Sequence, residues 1–136
     1  MGIGDWARKR SPWAYHLCIG GGCNGCDIEL LAVLAPKYDV ERFGIRLVDS
    51  PKHADVILLT GCGTRKSLDK ALEVYNQVPE PKKTVAIGAC AITHGIFRDS
   101  GNMKEPIDKY IKVDMYVPGC PPRPEAIIDA IYKVIK

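Results

Sequence analysis

The stretch Ala54–Gly61, ADVILLTG, is a short, unbroken apolar run. Such a run is the mark of a strand buried on both faces, which is the environment of a parallel sheet covered by helices. KTVAIGAC is a second run of this kind and leads into a Gly-Ala-Cys turn; DMYVPGC, from Asp114 to Cys120, is a third. Between the first two, KSLDKALEVYNQ places Leu68, Ala71, Leu72 and Tyr75 on one helical face. The last segment begins at Pro124, a favourable first helical position, and carries Ile127, Ile128, Ile131, Val134 and Ile135 as its apolar stripe. Strands alternating with helices predict a single α/β domain with a largely parallel sheet. A chain of 136 residues with 46% apolar and 26% charged residues is large enough to enclose its core.

The rest of the chain fits around that frame. Trp13 to Leu17 reads as a short strand that enters a glycine-rich turn. After Cys26, DIELLAVLAPKY sets Ile28, Leu31, Leu34 and Ala35 at helical spacing, and Pro36 favours an end there. Asp27 and Glu29 fall in the first turn, where the helix dipole favours negative charge. GIRLV, Gly44 to Val48, reads as a further strand. The polar segment 97–113, with Gly101 and Pro106, reads as a loop with one short helix.

At the start, WARKRSPWAY mixes Trp6, Trp13 and Tyr15 with Arg8, Lys9 and Arg10. This composition suits an arm over residues 1–16 that orders against partner subunits, with the α/β domain over 17–136. No apolar segment or small-residue cleavage site follows the basic residues, so a signal peptide is not expected, and no run is long enough to span a bilayer. The default expectation is a cytoplasmic protein. A net charge of +3, without an RNP, KH or zinc-finger pattern, gives no reason to expect nucleic acid.

Six cysteines in a chain expected in a reducing compartment point to metal or redox chemistry more than to disulfides. Cys23 and Cys26 precede the first long helix, Cys90 follows the strand ending at Gly88, and Cys120 follows the strand ending near Val117. In a parallel α/β sheet the loops after the strands gather on one edge, where these folds bind ligands. Cys-x-x-Cys alone would serve a thioredoxin-like dithiol, but that reading leaves Cys90 and Cys120 unexplained. A structural zinc site usually shows two close pairs, whereas here there is one pair and two single cysteines. A four-cysteine iron–sulfur cluster accepts dispersed ligands, with proline after the last one, as Pro121 follows Cys120. All three readings remain open on spacing, with the cluster favoured. Cys18 and Cys62 are left over and read as small buried residues, with Cys62 in a loop close to the same edge.

Three stretches carry a family resemblance: SPWAYHLCIGGGCNGCDIELLAVL, AIGACAITHGIF and VDMYVPGCPPRPEAIIDAI. They resemble the small electron-transfer subunit of membrane-bound energy-converting [NiFe]-hydrogenases and the related subunit of respiratory complex I. TGCGT, Thr60 to Thr64, matches a further loop of that family. The resemblance implies a flavodoxin-like domain with one [4Fe–4S] cluster at the carboxyl edge of the sheet, held by Cys23, Cys26, Cys90 and Cys120. The complex I subunit has adjacent cysteines where this chain has CNGC, which places it nearer the hydrogenases.

The resemblance also implies partners. These are a large [NiFe]-type catalytic subunit, a ferredoxin-like polyferredoxin subunit and integral membrane subunits that move ions, with this chain peripheral on the cytoplasmic face. The active site is then expected in the large subunit. Glu29 matches a family glutamate, for which a role in proton movement or at the interface is expected. His94, four residues after Cys90, stands where the family often has a small residue; it is not expected to be a ligand, but could hydrogen-bond a cluster sulfur. Arg65 and Arg123 flank the cysteine loops and would raise the potential of a negatively charged cluster, or else pair at the surface.

Overall fold

The computed structural model describes residues 2–136, and Met1, the first residue of the expected arm, lies outside the described residues. Five strands, β1 (Trp13–Cys18), β2 (Arg46–Leu47), β3 (Val56–Thr60), β4 (Lys83–Ile87) and β5 (Met115–Val117), form one sheet in the order β2-β1-β3-β4-β5. Every pairing is parallel, from Trp13 opposite Arg46 at one side to Ile87 opposite Val117 at the other. This is the doubly wound order of the flavodoxin-like folds, with its switch point between β1 and β3. The α/β single-domain expectation holds.

Among the described residues, five α-helices accompany the sheet: α1 (Ile3–Arg10), α2 (Gly25–Ala32), α3 (Leu68–Asn76), α4 (Gly88–Thr93) and α5 (Pro124–Ile135). β3 explains why both faces need cover, because all five of its residues are buried. Its side chains alternate between two cores. Val56 and Leu58 join Leu30, Val33, Ile127 and Ile131 beneath α2 and α5. Ile57 and Leu59 join Leu68, Ala71, Ile107 and Ile111 on the opposite face. Leu58 is fully buried, so Leu58→Ala is expected to cost about 2–5 kcal/mol, read from the midpoint of denaturant unfolding.

Three local readings change. The stripe Ile28, Leu31 and Leu34 does not face the core: Ile28 is 65% exposed and Leu31 63%. The helix instead buries Leu30 and Val33, with Cys26 packed beside them. From Ile28 to Ala35 the sequence is apolar nearly all round, so helical spacing offers two stripes and cannot say which one the sheet takes. The turn expected at Gly-Ala-Cys is the first turn of the short helix α4, which starts as β4 ends. The start of the chain also forms α1, none of whose residues is buried. Arg8 of α1 bridges Asp5 and Asp55 at 3.1 and 3.2 Å, while Trp13 to His16 of the proposed arm belong to β1.

The segment 97–113 is a loop with a single-turn 3-10 helix at Ile107–Lys109. It folds back on the loop after β3: Met103 bridges Thr64, and Lys104 N–H donates to the Gly63 carbonyl at 2.9 Å.

Candidate iron–sulfur site

The loops that follow β1, β3, β4 and β5 meet at the carboxyl edge of the sheet, and backbone hydrogen bonds tie them to one another. Ile19 N–H donates to the Thr60 carbonyl at 2.9 Å, and Cys62 N–H to Gly20 at 2.7 Å. Ala89 N–H donates to the Gly119 carbonyl at 2.8 Å, which joins the start of α4 to the loop that carries Cys120. Cys23 lies in the loop before α2, Cys26 on its first turn, Cys90 on the first turn of α4, and Cys120 after β5.

Cys23, Cys26 and Cys90 line one small cleft at this edge, and Cys120 acts electrostatically on Cys26 and Cys90. Cys26 is pushed up to about 11, first by burial and then by Cys90, Asp27, Cys23 and Cys120. Cys90 is also raised, chiefly by burial, with added repulsion from Cys23 and Cys120 and partial relief from a hydrogen bond to Cys62. Like-charge repulsion from Cys23 and Cys120 thus reaches both Cys26 and Cys90. A small cleft lined by Cys18, Gly22, Cys23, Cys26, Asp27 and Cys90 opens at this point. Gly88, with φ +85°, packs against Cys26, and a Cβ there would overlap the Cys26 sulfur.

Among the described residues, no three His, Cys, Asp or Glu side chains converge tightly enough for a single metal ion. A cubane cluster binds each thiolate to a different iron, so its ligands surround a volume rather than a point. Four thiols at one sheet edge, with Gly88 leaving room for the Cys26 sulfur, fit such a group, and they would have to release their protons to bind it.

In the metal-free protein the raised values have a consequence for stability. The fold favours the protonated thiols of Cys26 and Cys62, the latter pushed up to about 12 chiefly by burial. That contribution is complete below the unfolded value of 9.0 and is lost as pH rises through about 11 to 12. Metal-free protein is therefore expected to unfold at lower denaturant at about pH 11 than at about pH 8. A variant with Cys26 and Cys62 replaced by alanine should lose much of that difference.

A polar network unmarked by sequence spacing anchors the Cys-x-x-Cys helix. Asp27 Oδ1 accepts hydrogen bonds from His16 Nε2 at 3.0 Å and from the Thr60 hydroxyl, and His16 Nε2 also reaches Thr60 Oγ1 at 2.8 Å. The Cys18 thiol donates to Asp27 Oδ2 at 3.6 Å. The first turn of α2 is thereby pinned to β1 and β3, one residue from Cys26. Cys18 is exposed, against the expectation of a small buried residue, because the thiol turns toward Asp27 at the end of β1. Cys62 is buried as expected.

Glu29 is half-buried, three residues beyond Cys26. Arg65 and Arg123 are exposed. His94 ends α4 in a left-handed conformation and is 4% exposed, and neither ring nitrogen has a hydrogen-bond partner among the described residues. The two roomier clefts lie elsewhere: one beneath α1 beside Arg8 and Lys83, the other between the α2–β2 connection and α5, beside Tyr38 and Tyr132.

A parallel flavodoxin-like sheet with cysteines gathered at its carboxyl edge defines the small-subunit class shared by [NiFe]-hydrogenases and complex I. The chain belongs to the family described as NADH ubiquinone oxidoreductase, 20 Kd subunit, which it matches over residues 23–134. It is 52% identical over 122 residues to the Pyrococcus furiosus protein named "Probable membrane-bound hydrogenase subunit mbhJ", covering 90% of this chain and 72% of that one. It is 47% identical over 120 residues to formate hydrogenlyase subunit 7 of Escherichia coli, covering 88% of this chain but only 47% of the relative. Among solved structures, a chain of the membrane-bound sulfane sulfur reductase, an archaeal respiratory membrane complex, superposes with a TM-score of 0.83 at 42% identity, over 98% of this chain and 73% of that one.

These relatives are subunits of oxidoreductase complexes whose active sites lie in other subunits. The family is the iron–sulfur-bearing subunit of such complexes, which implies a cluster in this chain. Its partners are accordingly other subunits of a hydrogenase-type or respiratory complex. Among the described residues no helix is long and apolar enough to cross a membrane, consistent with a peripheral subunit.

Proposed function

We propose that this chain holds one [4Fe–4S] cluster on Cys23, Cys26, Cys90 and Cys120. In this reading it relays electrons between a ferredoxin-like subunit and the large [NiFe]-type subunit of a membrane-bound, ion-pumping hydrogenase, on the cytoplasmic face. The observation that carries the reading is that Cys23, Cys26 and Cys90, from two separate loops, line one cleft, with Cys120 of a third loop acting on Cys26 and Cys90. A dithiol acting through Cys23 and Cys26 would not need Cys90 and Cys120 there.

The cluster, when bound, accepts and releases one electron. The chain's own residues hold it at the sheet edge, and the Asp27–His16–Thr60 network keeps the first two ligands in place. The exposed stripe Ile28, Leu31 and Leu34 runs from the ligand turn along α2 and just past its end. A solvent-facing apolar stripe beside an electron carrier suits a partner subunit that must approach closely. Glu29, on the same helix, serves that contact or a proton path. α1, at the opposite edge of the sheet with Ile3 and Trp6 outward, docks a second subunit.

A second reading keeps the same role beside a nickel-free large subunit that reduces a quinone or a sulfur compound. The likeness to the sulfane sulfur reductase chain favours it specifically. Anaerobic purification through a tag on this chain decides between them. Copurification of a large subunit with bound nickel is the expected result, and a nickel-free large subunit selects the second reading. Isolation of this chain with zinc and no iron overturns both.

A further inference from the structure

Among the described residues, Asp27 is the one charged side chain in the lining of the small cleft, where it sits beside Cys23, Cys26 and Cys90. Its side chain is only 20% exposed, so water screens it poorly. The carboxylate is fixed from two strands. Oδ1 accepts from His16 Nε2 at 3.0 Å and from the Thr60 hydroxyl, and Oδ2 accepts from the Cys18 thiol at 3.6 Å. His16 and Cys18 belong to β1 and Thr60 to β3. Turning out to solvent would break all three bonds. Pinning the first turn of α2 needs only an acceptor there, which a neutral amide would also supply. A carboxylate adds a fixed negative charge one residue from Cys26.

We propose that the fixed carboxylate of Asp27 lowers the potential of the cluster that Cys26 helps to hold, and so makes the reduced site a stronger electron donor. This rests on the four-cysteine reading above. Reduction adds one negative charge to the site, and a neighbouring like charge with little water between opposes it. The same repulsion acts on the Cys26 thiol, which is pushed up first by burial, then by Cys90 and then by Asp27. The amino end of α2 works the other way, because its partial positive charge favours an added electron. Asp27, in the first turn, offsets that pull. His16 does not reverse the sign: whatever charge its ring carries, removing the carboxylate charge leaves the site more positive by one unit.

Asparagine separates charge from support. With its amide oxygen in the Oδ1 place, Asp27→Asn still accepts from His16 and Thr60, and its NH2 faces the Cys18 sulfur, a weak acceptor. The test compares wild type, Asp27→Asn and Asp27→Glu in the assembled complex, purified anaerobically. Redox titration followed by EPR should show a more positive midpoint in Asp27→Asn at unchanged iron per chain. Asp27→Glu keeps the charge, and its midpoint should fall back toward wild type. A purely structural role would leave the Asp27→Asn midpoint where it was. An unchanged or more negative midpoint in Asp27→Asn therefore overturns the proposal. Loss of iron from Asp27→Asn also overturns it, because the carboxylate would then be needed as a support. So does a midpoint in Asp27→Glu as positive as that in Asp27→Asn. If the longer side chain costs Asp27→Glu its iron, the Asp27→Asn midpoint decides alone. Absence of a cluster from wild type is a different failure, that of the four-cysteine reading itself.

Discussion

A Cys90→Ala chain is expected to lose its cluster, and with it electron transfer, while remaining folded. Cys90 and Cys62 are both buried at the same sheet edge. Burial alone would give them equal weight. They differ in what faces them. Cys23 and Cys120 both act on Cys90, and Cys90 in turn raises Cys26, whereas of the four only Cys90 and Cys23 act on Cys62. Removing Cys90 leaves three thiolates for four irons; removing Cys62 leaves the ligand set complete. Iron analysis of the two alanine variants side by side checks this. Near-complete loss is expected for Cys90→Ala and full retention for Cys62→Ala.

The second large effect belongs to a residue with no side chain. Gly88→Ala adds a methyl group that would overlap the Cys26 sulfur, at a backbone position with φ +85°. The left-handed conformation alone costs a residue with a Cβ about 1–2 kcal/mol. The neighbour cannot yield cheaply, because Cys26 sits on the first turn of α2, pinned through Asp27 to His16 and Thr60. The expected result is a protein with lowered unfolding midpoint and most of its iron lost. A control such as Gly101→Ala, where a Cβ meets nothing within 4 Å, should keep its full iron content.

The sequence carried the sheet because β3 and β4 hold unbroken apolar runs, 56–59 and 85–87, which suit a parallel strand covered on both faces. It also carried the convergence of the cysteines, since each follows a strand or precedes the first long helix. The orientation of α2 was hidden, because two apolar stripes share that helix and only the packing of Leu30 and Val33 against the sheet selects one. The helical turn at Cys90 was hidden by Gly88, a poor helix residue in general but well suited to a positive φ at a strand-to-helix junction. The Asp27–His16–Thr60 network joins residues up to 44 positions apart, and no local spacing reveals it.

The most direct test is metal analysis with low-temperature EPR on anaerobically purified, dithionite-reduced protein. About four irons per chain and a reduced-cluster signal, both lost in Cys23→Ala, Cys26→Ala, Cys90→Ala and Cys120→Ala, are the predicted result. A chain that contains zinc without iron, or that keeps its cluster signal when Cys90 or Cys120 is replaced, would contradict it.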